Sequence, residues 1–276
     1  MDPTNTTTKF VIDFLTELFE KGLEYRTINV YRSAISAYHL PIDSTPVGQI
    51  KEVCQLLSCM DNIRPATPKY SVIWEVQPVI DCLKNLGEEE RLSNKDLTLK
   101  TVMLMALTAI KRCSDLHILD VRFMATGTDK VIFQLNERPK NFKRKGGKPD
   151  PIIFSASGES LCPVSTIKAY IERTKPWREA NSETKFFLSF IKPHKSVKPC
   201  TIGRWLKTVL ANGGIDTSKF TAHSTRAAAS SKMKTLGATV AEIMNCGNWN
   251  SSSTWQRFYN RQIESSLEKA QKAMLG

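Results

Sequence analysis

Apolar residues recur with a helical period through the first third of the chain. Behind Thr6, Thr7 and Thr8, the positions Phe10, Val11, Phe14, Leu15, Leu18 and Phe19 fall on one helix face. A second run joins Ile28, Val30, Tyr31, Ala34, Ile35 and Tyr38 and carries Arg26 and Arg32. Pro41 and Pro46 interrupt, and Val47 to Met60 predicts a third helix. Pro65 to Lys69 predicts a loop, followed by a helix from Ile73 to Leu86. Gly87-Glu88-Glu89-Glu90-Arg91 is charged and begins with glycine, which makes it the expected edge between a helical domain over 1–87 and a second domain over 88–276. Ser93 to Asp96 offers caps for the next helix, which runs through Leu99, Val102, Met103, Leu104, Leu107 and Ile110.

The period then shortens. Ile118 to Val121, Lys130 to Leu135 and Pro151 to Phe154 are short β-rich runs bounded by turn residues, and they predict a small antiparallel sheet. Helical patterns return at Pro163–Arg173, Thr201–Ala211, Ser224–Leu236, Thr239–Cys246 and Ile263–Met274. The expected fold is mainly α with a small antiparallel β-sheet, an α+β arrangement without internal repeats.

Composition narrows the setting. With 276 residues and 41% hydrophobic content, the chain can bury substantial cores. A net charge of +12 favours a polyanionic partner, of which nucleic acid is the commonest. The seven cysteines are scattered without CxxC spacing, which predicts no metal site and fits a reducing compartment. No signal pattern opens the chain and no apolar run approaches the ~20 residues of a membrane span. The expectation is an intracellular protein that does not enter a membrane.

The chemistry-bearing residues occur in one order: Arg112-Cys113-Ser114-Asp115-Leu116, then Phe220-Thr221-Ala222-His223-Ser224-Thr225-Arg226, then Cys246-Gly247-Asn248-Trp249, then Tyr259. Two arginines can clamp the non-bridging oxygens of a phosphodiester and follow its charge as it builds. A histidine can take or give a proton, and a phenol can attack phosphorus and keep the cleaved bond as an ester. His223 and Arg226, three positions apart, share a face if a helix starts near His223. Trp249 can donate its indole N–H to a phosphate oxygen or simply pack in the core. Taken alone, Arg112 reads as a helix C-terminal cation, and Tyr259 as core. Their joint order favours a phosphate site instead. A basic run from Arg138 to Lys148 contains Lys140, Lys143, Arg144 and Lys145, with no acid among them. It suits DNA backbone contact, or a nuclear-import signal.

In these boxes the chain resembles tyrosine recombinases of the phage-integrase superfamily. The resemblance to the catalytic domain covers roughly residues 94–262. Pro68-Lys69-Tyr70-Ser71-Val72-Ile73-Trp74-Glu75-Val76 and Trp249-Asn250-Ser251-Ser252-Ser253-Thr254 further resemble recombinases of DIRS-like and Ngaro-like retroelements, as does Tyr25 to Ile35 their core-binding helical domain. Trp249 stands where the superfamily more often has histidine. The resemblance implies a C-shaped clamp of a core-binding and a catalytic domain on double-stranded DNA. Arg112, Lys140, His223, Arg226, Trp249 and Tyr259 are the implied catalytic set, with Asp115 orienting an arginine. Hairpin lysines other than Lys140 remain candidates for the general acid. Arg26, Arg32, Arg138, Lys143, Arg144, Lys145, Lys148 and Arg257 are the expected DNA contacts. The resemblance further implies transesterification without cofactor or metal, a homotetramer on DNA in which the Gln262–Met274 segment can reach a neighbouring protomer, and a mobile-element enzyme in the nucleus. A type IB topoisomerase, or a domesticated DNA-binding protein with vestigial catalysis, would carry much the same residues.

Overall fold

The structure, a computed structural model, describes residues 4–140, 142, 147–158, 161–263 and 274. The chain divides into two compact units, Met1–Lys69 and Tyr70–Gly276. The smaller unit packs α1 (Thr8–Glu20), α2 (Tyr25–Tyr38) and α3 (Lys51–Ile63) around Val11, Leu15, Ile28, Val53, Leu57 and Met60. These residues recur at helical spacing, so each helix turns one apolar stripe to the shared core.

The division falls at the Pro65–Lys69 loop, not at Gly87. Helix α4 (Gln77–Asn85) buries Val79 and Leu83 in the core of the larger unit and therefore belongs to it. The expected helix from Ile73 also begins later. Val72–Ile73 forms a two-residue strand, β1, and the helix starts at Gln77 with Pro78 in its first turn, where proline costs no hydrogen bond.

The larger unit is built around α5 (Asn94–Ala109). Ser93 caps it by accepting the Asp96 N–H, and nearly every residue from Leu97 onward is buried. A helix enclosed on all sides has no polar face. Its one buried cation, Lys100, is paired with Glu89 at 2.9 Å and donates to the Gly87 carbonyl at 2.7 Å. Around α5 lie α6 (Cys113–His117), α7 (Pro163–Asn181), α8 (Pro199–Asn212), α9 (Ser224–Thr235), α10 (Val240–Gly247) and α11 (Ser252–Phe258). Helix α7 outruns its sequence pattern and passes through Pro176. Its last turns are held by Arg178, whose guanidinium donates to the carbonyls of Lys185 and Phe186.

The antiparallel sheet orders β2 (Met124–Thr126), β3 (Lys130–Phe133) and β4 (Ile152–Ser155), with Val131 opposite Thr126 on one side and Phe154 on the other. The expected strand over Ile118–Val121 is realised in part and outside this sheet: Ile118 caps α6, Asp120 bridges antiparallel to Lys185, the Phe186 N–H donates to the Leu119 carbonyl and the Val121 N–H to the Thr184 carbonyl, and a 3₁₀ turn follows over Val121–Phe123. Asp120 accepts the backbone N–H of Arg122 and pairs with its guanidinium, which bends the chain before β2. A second, parallel pair joins β1 to β5 (Gln262–Ile263) in the register Val72–Gln262 and Ile73–Ile263. Of the expected helix over Ile263–Met274, only these two end residues are described, and Ile263 lies in β5. Among the described residues no helix is long and apolar enough to cross a membrane.

Candidate active site

Helix α5 ends abnormally. Its C-cap Ile110, fully buried, takes a left-handed backbone with φ 50°. β-branched residues rarely adopt this region, and such strain persists only where the surroundings hold it. The holder is Arg226, whose Nη1–H donates to the Ile110 carbonyl at 2.8 Å and whose Nη2–H donates to the Gly247 carbonyl at 2.7 Å. The turn at Ile110 places Arg112 at the start of α6, where its backbone N–H donates to Asp115 Oδ2 at 3.0 Å.

Asp115 is buried, with its carboxylate 3.8 Å from Arg112 Nη1 and 3.9 Å from Arg226 Nη1. It supplies the counter-charge for both guanidinium groups. Even so, Arg112 Nη1 and Arg226 Nε have no hydrogen-bond partner among the described residues. Unfilled donors of buried cations mark a place where an anion would be stabilised. Burial first, then the nearby Arg112, pushes the Arg226 guanidinium down to about 10, which leaves it charged at pH 7.

His223 precedes α9 as its N-cap, so His223 and Arg226 sit on the same first turn. His223 is exposed and its Nε2 lies 2.9 Å from the Tyr259 hydroxyl. Tyr259 comes one residue after α11, with its backbone N–H still donating to the Trp255 carbonyl at 2.8 Å. The Ser231 hydroxyl fixes the other side of the tyrosine by donating to the Tyr259 carbonyl at 3.1 Å and accepting the Arg261 N–H at 3.0 Å. Arg112, Lys140, His223, Arg226 and Tyr259 line one pocket of about 470 Å³. Five residues spread over almost 150 positions of sequence therefore converge within the larger unit.

Trp249 reaches the site by packing. The left-handed Asn248 ends α10 and turns the chain so that the Trp249 N–H bonds back to the Met244 carbonyl. The indole then lies 4.4 Å from the Arg226 guanidinium and 4.8 Å from the Tyr259 ring. Its own N–H is buried without a partner among the described residues. Gly247 makes room for the ring: a Cβ there would stand 1.8 Å from Trp249 Cζ3.

Of the expected DNA contacts, Arg26, Arg138, Lys148 and Arg257 are exposed, whereas Arg32 is half-buried and donates to the Gly48 carbonyl at 3.2 Å. Lys143, Arg144 and Lys145 lie outside the described residues. Sequence reasoning missed three contributors. Lys111 lines the same pocket and donates to the Cys246 carbonyl at 2.7 Å, with burial lowering its ammonium pKa. Ser231 tethers the tyrosine, and Ile110 carries the strain. Lys111 could have been noticed as a second cation directly before Arg112, while Ser231 and Ile110 leave no signal in the sequence. Among the described residues, no group of three or more His, Cys, Asp or Glu side chains could hold a metal ion.

A family model described as the phage integrase family matches residues 77–265. No curated protein matches the chain. Among solved structures, the fold is similar to XerA recombinase, with 16% identity, a TM-score of 0.53 and coverage of 97% of this chain and 90% of that one. It is also similar to XerH site-specific recombinase bound to palindromic difH substrate in a post-cleavage complex, with 14% identity, a TM-score of 0.60 and coverage of 98% and 73%. The Tn1549 transposon integrase in complex with transposon right end DNA gives 12% identity, a TM-score of 0.58 and coverage of 98% and 86%.

Proposed function

The chain belongs to the phage integrase family, and from that premise we propose that it breaks and rejoins double-stranded DNA through a covalent tyrosine intermediate. The observation that carries this reading is the Tyr259 hydroxyl, 2.9 Å from His223 Nε2 in a pocket lined by Arg112, Arg226 and Lys140. The scissile phosphate sits on Arg112 and Arg226. His223 takes the phenol proton as Tyr259 oxygen bonds to phosphorus. The bond from phosphorus to the 5′-oxygen breaks, and Lys140 gives that oxygen its proton. The products are a 3′-phosphotyrosyl ester and a free 5′-hydroxyl. An incoming 5′-hydroxyl reverses the step on another strand. One ester replaces another, so the step needs no energy source. The two guanidinium groups, held by Asp115, stabilise the charge that other nucleases assign to metal ions.

The reading extends to the assembly and the setting. We propose that the smaller unit is a core-binding domain on DNA, that four protomers act on two duplexes, and that the chain is a mobile-element recombinase of the DIRS-like or Ngaro-like kind acting in the nucleus. The Tn1549 structure, in complex with transposon right end DNA, and the XerH structure, bound to palindromic difH substrate, support the DNA partner.

The test uses a pool of nicked duplexes of random sequence, in which cleavage near the nick releases a short fragment and traps the covalent adduct. Wild-type protein should form an adduct that survives denaturing electrophoresis, also in excess EDTA. Tyr259→Phe should bind DNA and form none. An adduct that appears only with added magnesium or manganese would overturn the metal-independent step. Specific binding without adduct would favour a domesticated DNA-binding protein, and relaxation of supercoiled DNA by the monomer a topoisomerase.

A further inference from the structure

The segment that opens the larger unit holds both partners of the proposed proton transfer. Tyr70 and Trp74 are buried at 9% and 2% exposure. The Tyr70 hydroxyl accepts the Thr221 N–H at 3.3 Å and lies 3.0 Å from the Thr221 hydroxyl. The Trp74 indole N–H donates to Ser224 Oγ at 2.8 Å, and that hydroxyl donates to the Thr221 carbonyl at 2.7 Å. Thr221 and Ser224 bracket His223 in the sequence. Between the two aromatic residues, β1 pairs with β5, which begins three positions after Tyr259. One short segment thus grips the turn around His223 by two polar tips and the strand that follows Tyr259 by its backbone.

Buried tyrosine and tryptophan usually find a partner for their polar atom. A nearby carbonyl would satisfy that need. Here both polar tips land on the residues that flank the same exposed histidine, at the N-cap of α9. His223 Nε2 must stay near 2.9 Å from the Tyr259 hydroxyl to accept its proton, and displacement of about 1 Å can cost a reaction on the order of a hundredfold. We propose that Tyr70 and Trp74 are positioning residues for the transesterification, holding the His223 loop against Tyr259 through Thr221 and Ser224. This rests on the reading of Tyr259 as nucleophile and His223 as its proton acceptor.

Tyr70→Phe removes one hydroxyl and keeps the ring, and Ser224→Ala removes the acceptor of the Trp74 N–H with little change in packing. Thermal unfolding confirms that each variant is folded before its other readouts are compared. At saturating concentration of a nicked duplex selected by wild-type adduct formation, each variant should cleave about five- to tenfold more slowly, the size of one hydrogen bond. DNA affinity should stay within about twofold, as neither tip is proposed to touch DNA. A second readout needs no DNA. In protein labelled with ¹⁵N-histidine, the four histidines give four ring systems. The His223 resonances in Tyr70→Phe should move in the direction that Tyr259→Phe moves them, while those of His117 and His194 stay in place. Unchanged His223 resonances together with a cleavage rate within twofold of wild type would overturn the proposal and leave the nucleophile assignment intact. If the wild-type protein forms no adduct, the functional reading fails, and the resonance comparison still decides whether this segment positions His223. A folded variant whose slower cleavage is matched by weaker DNA binding at unchanged His223 resonances also counts against the proposal.

Discussion

Gly247→Ala should damage the site although glycine itself offers DNA no side chain. A methyl group at this position would stand 1.8 Å from Trp249 Cζ3, 2.1 Å from Cε3 and 2.7 Å from Cη2. Restoring an ordinary 3.4 Å contact to Cζ3 requires the ring to move by about 1.6 Å. The indole cannot retreat freely, since it is buried at 7% exposure between Arg226 and Tyr259. Overpacking of this kind costs roughly 1–3 kcal/mol in stability. Passing even about 1 Å of the shift to Tyr259 or Arg226 should slow adduct formation on the order of a hundredfold. The assay is a double-mutant cycle: urea unfolding and single-turnover adduct formation for wild type, Gly247→Ala, Trp249→Ala and the double variant. Trp249→Ala removes the colliding ring, so adding Gly247→Ala to it should cost less than about 0.5 kcal/mol. An equal loss from Gly247→Ala in both backgrounds would refute the steric origin and point to the helix end itself.

Asp115→Asn leaves the buried Arg226 and the half-buried Arg112 without their shared counter-charge, a loss of about 3–5 kcal/mol; at roughly 2–4 °C per kcal/mol the melting temperature should fall by about 6–20 °C, and saturating DNA, whose phosphate replaces the anion, should recover part of it. A fall that DNA leaves unchanged would place the phosphate elsewhere. Lys140→Ala should slow cleavage of ordinary DNA by about 10²–10⁴, whereas a 5′-bridging phosphorothiolate, whose leaving group needs no proton, should restore Lys140→Ala and not Arg112→Ala; rescue of a different lysine variant would move the general acid. Burial pushes the Cys113 and Cys246 thiols up, so at pH 8 they hold less thiolate, and iodoacetamide should modify the exposed Cys59 and Cys200 first. Peptide mass spectrometry reads that order, and prior modification of Cys246 would contradict it.

The helical pattern was legible wherever one element buries one stripe. The apolar spacing of Phe10 to Phe19 becomes α1, which turns Val11 and Leu15 to its core, and the long apolar run of Leu99 to Ile110 becomes α5, buried on all sides. Legibility failed where distant partners decide. Ile73 looks like the start of a helix, but with Val72 it pairs to Gln262 and Ile263, almost two hundred positions away. Helix α7 continues past Pro176 because Arg178 finds carbonyls on a different segment. Ile118 to Val121 has strand-like composition, but it pairs only at Asp120, with the distant Lys185, before the Asp120 side chain turns the chain. At the site, Arg112, His223, Arg226 and Tyr259 were recognisable by order and neighbours, and the structure brings them together with Lys140. Their supports were not recognisable. Ser231 acts through one hydroxyl on an otherwise ordinary helix, and the reason for glycine at 247 exists only once Trp249 has folded back over it.

The most direct test is to locate the covalent bond. Wild-type protein trapped on a nicked duplex should be digested with nuclease and trypsin, and the nucleotide-bearing peptide sequenced by mass spectrometry. Trypsin cuts after Arg257 and Arg261, so Tyr259 falls in a four-residue peptide, Phe258-Tyr259-Asn260-Arg261, with a single hydroxyl-bearing side chain. The expected result is a nucleotide phosphate on that peptide, attached to Tyr259 through the 3′ side of the cleaved strand. A nucleotide found on any other residue, or a 5′-phosphate linkage, would contradict the assignment of Tyr259 as the nucleophile that leaves a free 5′-hydroxyl.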